Sequence, residues 1–190
     1  MGKNSERLRE RKAYHEAGHV VTFILLMLPF ESVSLREKRE DKFDIKNGEK
    51  VPVTHTYTEG IVWSEEKTKS LNEEVIRGKL DLREAIASVA GPEAEKIFIG
   101  GIDDEAQFGA KSDMQAIIVP CRAAISQGLP IENWKVSVME APIFNALAKE
   151  ANILLEENWK CVVAVADALI KYRSLTFDES VNIINRTKGS

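Results

Sequence analysis

Cysteine and histidine are both scarce in this chain of 190 residues, which carries two cysteines, Cys121 and Cys161, and three histidines, His15, His19 and His55. The cysteines form no CxxC pair, which leaves neither a thiolate metal cluster nor a disulfide framework to build on; they read as buried thiols of a reducing compartment. Long hydrophobic runs are missing too. The longest, VVTFILLML at 20–28, has nine residues, whereas a helix needs roughly 20 to cross a bilayer. It continues a polar, ionisable stretch, and Pro29, Phe30 and Glu31 supply no small-residue cleavage site, so it is not read as a signal peptide. A cytoplasmic, soluble protein is expected. A surplus of positive charge is also absent: the formal net charge is −4 and no basic patch or arm stands out, which argues against nucleic acid as the partner. Nor does any linker or internal repeat divide the sequence, so residues 1–190 are expected to form one domain. With 44% hydrophobic and 29% charged residues the chain is able to bury a core unaided; a metal here would serve chemistry rather than folding.

The pattern along the chain predicts a mainly α fold with a small β-hairpin or strand element. Residues 4–28 read as one helix, capped by Asn4 or Ser5 and ended by Pro29. Tyr14, Ala17, Val20, Val21, Ile24, Leu25 and Leu28 form its apolar stripe. Ser32 to Leu35 and Val51 to Trp63 are β-prone; the charged stretch REKREDKFDIKNGEK between them, at 36–50, reads as a solvated hairpin loop or a disordered insertion. From residue 71 the pattern is helical: 72–99 with a break at Gly91-Pro92, about 112–127 with Ser112 as cap and a kink at Pro120, one long helix over 141–171, and a short one over 177–187.

The most informative residues are His15-Glu16-Ala17-Gly18-His19, an H-E-x-x-H sequence inside the first helix. Histidines four apart lie on one face of a helix, one turn above each other, and are able to grip one zinc ion. The glutamate beside the first histidine then faces a zinc-activated water as general base. Gly18 weakens the helix by roughly 1 kcal/mol relative to alanine, which is explained if a small residue is needed for another element to come close. A catalytic zinc takes a third protein ligand and keeps one position for water. His55, Glu93, Glu95, Asp103, Asp104 and Asp113 are the candidates, and spacing alone does not choose among them.

The surroundings of the motif add a resemblance. AYHEAGHVV is similar to the zinc helix of the FtsH-type proteases, the membrane-bound AAA+ zinc peptidases of bacteria and organelles. LREAIASVAGPEAEKIFIGG resembles that family's G-x-x-A-E-E segment and glycine turn. FGAKSDMQAI resembles its G-A-x-S/N-D-L-x-x-A block, and NILLEENWKCVVAVADALIKYRSLTFDESVNII its C-terminal helices. The blocks follow in family order over residues 10–187. The resemblance implies a helical zinc-peptidase domain in which His15, His19 and Asp113 hold Zn2+, Glu16 is the base, and Glu95 orients a ligand histidine. It also implies peptide or unfolded-protein substrates, self-association as a hexamer, and a separate ATPase partner. The departures are the absence of membrane-spanning and ATPase segments in these residues, the insertion at 36–50, and Pro120. Gly109-Ala110-Lys111-Ser112 lacks the spacing of a P-loop. The competing expectation is a non-catalytic zinc-binding adaptor or regulator, against which the intact Glu16 stands.

Overall fold

A computed structural model of the protein describes residues 3–46, 49–62, 82–101 and 142–189. Among these, helices α1 (Lys3–Leu25), α2 (Leu82–Ile99), α3 (Pro142–Glu157), α4 (Trp159–Tyr172) and α5 (Phe177–Lys188) are joined by a small antiparallel sheet of β1 (Ser32–Lys46), β2 (Glu49–Val62) and β3 (Ser174–Thr176), in the spatial order β2–β1–β3. The fold is thus mainly helical with a minor sheet, as the periodicity indicates.

The helix α1 is the central element. Its apolar stripe predicts one buried face, but every residue from His15 to Phe23 is buried, as happens when a helix is covered from several sides. Its main partners are α2 and α4, the latter contributing Val162, Val165, Ala166 and Leu169 to the core. The helix ends three residues earlier than Pro29 requires. Met27 takes a left-handed conformation with φ 57°. The Leu28 amide then donates to the Phe23 carbonyl at 2.8 Å and the Met27 amide to that of Ile24 at 3.2 Å. This is a Schellman closure, which satisfies two of the last carbonyls and turns the chain towards the sheet.

Three expectations from the sequence are corrected. Over its described residues, 36–46 and 49–50, the charged stretch is strand and not loop: β1 and β2 pair from Glu37↔Thr58 to Lys46↔Glu49. Ladder bonds are made by the backbone, so a charged sequence is able to form a two-stranded ribbon. Gly91-Pro92 does not break α2, which runs unbroken over both; one missing amide is tolerated where Ala87, Val89, Ala90 and Ala94 are all buried beside it. The predicted long helix is two, parted at Asn158. Its side-chain amide turns back to the Leu154 carbonyl at 2.9 Å, local competition of the kind by which asparagine ends helices. The final short helix stands as expected, and Thr176 and Glu179 form a reciprocal capping box at its start.

β1 carries a bulge between Ser34 and Glu37. On one side it pairs with β2 at Ser34↔Gly60, and on the other with β3 through Val33↔Leu175. The buried Val33, Leu35 and Leu175 seat the sheet on the helical core. Cys161 is buried and in no disulfide. Cys121, the helix expected at 112–127 and the segment 72–81 lie outside the described residues. Among the described residues no helix is long and apolar enough to cross a membrane.

Candidate metal centre

Arg11, His15 and His19 succeed one another every four residues, so all three lie along one face of α1. Opposite them α2 runs the other way and presents Glu95, Gly91 and Ala87 in the matching order. The Arg11 Nε donates to Glu95 Oε1 at 2.8 Å. His15 Nδ1 stands 3.3 Å from Glu95 Oε2, and His19 Nδ1 stands 2.8 Å from the carbonyl oxygen of Ala87. A carboxylate and a carbonyl only accept, so both rings carry their proton on Nδ1 when neutral. Each Nε2 is thereby left as the ring's lone-pair nitrogen.

The two Nε2 atoms are 3.3 Å apart, closer than the ring centroids at 4.9 Å, so the nitrogen edges converge. Two nitrogens bound at Zn–N distances of about 2.0–2.1 Å with a tetrahedral angle lie about 3.3 Å from each other. Donor type, tautomer and spacing therefore all fit one zinc ion, and the acceptors behind both rings are those that orient ligand histidines. His15, Glu16 and His19 are only 5–8% exposed, which keeps the centre largely out of bulk water.

Electrostatics supports the arrangement. Burial pushes the Glu95 carboxyl up, but hydrogen bonds from His15 and Arg11, together with their charge, outweigh it and hold the group below the ordinary carboxylate value. Glu95 is thus kept as an anion behind His15.

Glu16 is positioned from the sheet side. Gly60 of β2 has φ +66°, a left-handed conformation that suits glycine. A Cβ built there would stand 3.2 Å from Glu16 Oε2 and 3.4 Å from Oε1, so bare backbone of β2 faces the carboxylate. Gly18 on α1 is equally constrained: a Cβ would meet the Ala90 oxygen and the Ala94 Cβ, each at 2.5 Å. The close approach expected at Gly18 is made by α2.

Among the sequence candidates, the structure brings His15, His19 and Glu95 together and sets the Glu16 carboxylate against Gly60 of β2. Glu93 is directed elsewhere; it bonds Asn152 of α3 at 3.0 Å and pairs with Lys96. The backbone of His55 lies opposite Glu40 in the ladder, and its side chain is outside the described residues. So are Asp103, Asp104 and Asp113. Among the described residues no group of three or more His, Cys, Asp or Glu is placed to hold a metal ion. The sequence reading missed Arg11, the Ala87 carbonyl, Gly60 and Gly91. Arg11 had one usable signal, its place four residues before His15 on a buried helix face. No family model matches this chain, and the search of curated proteins finds no match either.

Proposed function

We propose that this chain is a zinc-dependent metalloendopeptidase, akin to the peptidase domain of the FtsH-type proteases, that hydrolyses peptide bonds in flexible or unfolded polypeptides. The observation that carries this reading is the 3.3 Å separation of the two Nε2 atoms, with both rings held from behind through Nδ1. His15 and His19 would hold the zinc, with Asp113 as the third ligand by resemblance. When bound, zinc supplies a Lewis acid that acidifies water and polarises the scissile carbonyl. Glu16 takes the proton from the attacking water and delivers it to the departing amine nitrogen as the C–N bond breaks. Burial of this carboxylate beside Gly60 keeps it oriented for both transfers.

Substrate approach follows from the sheet. Among the described strands β2 is an edge, and it carries Gly60 past Glu16. An extended peptide added along that edge through backbone hydrogen bonds would lie within reach of the general base. Folded proteins do not offer such a strand, which is why an unfolded substrate, and a separate ATPase to prepare it, belong to the proposal. Self-association as a hexamer and a cytoplasmic location complete it.

The test is direct. Purified protein should retain about one zinc per chain and cleave unfolded casein. Glu16→Gln should keep the metal and lower cleavage by roughly 100-fold or more. Cleavage retained in that variant would overturn the assigned mechanism. Zinc held by four protein ligands, without turnover, would identify a binding protein instead.

A further inference from the structure

We propose that Gly91 is a positioning residue of the metal centre, acting through His19: the bare α-carbon on α2 is what allows this imidazole to lie against the helix with Nε2 turned towards His15. The inference rests on the metallopeptidase reading above. A Cβ at Gly91 would fall closest to His19 Nε2, with Cε1 at 2.6 Å and Cδ2 at 2.7 Å. A carbon so near to both ring carbons lies over the face of the ring at its nitrogen edge, not in the ring plane where a ligand ion would lie. The contact is therefore a seat for the imidazole and leaves its coordinating direction clear.

The ring has nowhere to retreat. Its Nδ1 is tied to the Ala87 carbonyl at 2.8 Å, one turn before Gly91 on the same helix. Sliding along α2 to clear a methyl group would break that bond. Withdrawal of α2 would carry the Ala87 carbonyl and Glu95 away from both histidines at once. Either adjustment alters the 3.3 Å Nε2 separation. The close crossing that makes Gly91 necessary is itself set by Gly18, whose missing side chain faces Ala90 and Ala94. Each helix thus supplies one glycine at the crossing.

A local alternative competes. Gly91 precedes Pro92, and a residue with a Cβ is disfavoured in helical conformation before proline. On that account Gly91 would serve α2 alone. The two explanations separate in a double-mutant cycle with His19→Ala, because pre-proline strain does not depend on residue 19 whereas a clash with the imidazole does.

The experiment measures Zn2+ affinity of the unaltered chain and of Gly91→Ala by competition with a chromophoric chelator. It also measures metal-free thermal unfolding of the unaltered chain, both single variants and the double variant. Expected are an affinity loss of about 100-fold in Gly91→Ala and an unfolding midpoint that this substitution lowers by about 5 °C when His19 is present but by only about 1 °C in the His19→Ala background. Unaltered affinity in Gly91→Ala, or an equal midpoint loss in both backgrounds, overturns the inference while leaving the metallopeptidase reading intact. If the unaltered chain binds no zinc, both fall. If Gly91→Ala does not fold, recovery of folding in the double variant supports the inference, and a double variant that also fails overturns it.

Discussion

Glu95 joins two partners that differ in kind, a permanent cation and a ring whose charge must stay off for metal binding. One carboxylate oxygen meets Arg11 and the other His15, so the group is pinned in rotation as well as held ionised. Glu95→Gln keeps the shape but offers one acceptor where two are used, and leaves Arg11 beside a neutral amide. Its expected effect is a loss of zinc affinity of about 10–100-fold, read by chelator competition at a temperature well below unfolding. Unchanged affinity would show that His15 needs no carboxylate behind it. The H-E-x-x-H sequence made His15, Glu16 and His19 legible because a single helical turn links them, and periodicity needs no long-range information. The Ala87 acceptor was not legible, since every residue carries a carbonyl and only the packing of α2 selects this one. Gly60 and Gly91 were silent for a related reason: each acts by lacking atoms near a residue distant in sequence.

At the scale of elements, the end of α1 carries strain that sequence periodicity does not report. Met27 adopts φ 57° although it is 85% exposed and contributes little packing. A left-handed conformation costs a residue with a Cβ roughly 1–2 kcal/mol, and the extra unfolded-state entropy of glycine costs roughly 0.4–1 kcal/mol. The first is larger, so Met27→Gly should stabilise the protein by about 0.5–1 kcal/mol. Urea denaturation checks this through a raised midpoint at constant slope; a lowered midpoint would refute the balance. The capping box of α5 was not singled out in the sequence, although Thr176 and Glu179 form it locally; the short helix itself was readable. The break at Asn158 and the continuity across Pro92 were not. At Asn158 a single side-chain bond to the Leu154 carbonyl decides against helix continuity, and at Pro92 the buried residues around it decide in favour.

For the molecule as a whole, the metal should act as a fastener between α1 and the segment that carries Asp113. A ligand bound only by the folded state adds RT ln(1 + [L]/Kd), about 2.7 kcal/mol at a hundredfold excess over Kd. For a domain of this size that corresponds to a rise of roughly 5–10 °C in the unfolding midpoint. Zinc should raise it by this order, a chelator should reverse the rise, and a chain carrying both His15→Ala and His19→Ala should show none. A midpoint indifferent to zinc in the unaltered chain would count against the centre. Overall architecture was the most legible level, because long periodic segments determine that helices dominate. The charged part of the ribbon, from residue 36 on, was the exception, since backbone pairing leaves no hydrophobic signature when the strands are rich in charge, whereas Ser32 to Leu35 and Val51 to Val62 read as β-prone.

The sheet has one more consequence. β2, which brings Gly60 to Glu16, hangs on β1, and the other edge of β1 is sealed by Ser174–Thr176. Arg9, on the helix of the histidines, is bonded to the carbonyl of Ile170, 161 residues away in sequence. During synthesis the two imidazoles therefore emerge from the ribosome long before the strand that sheathes β1 exists. Under the metallopeptidase proposal, the nascent chain would therefore gain the strand support behind Glu16 only once its far-off brace has been made.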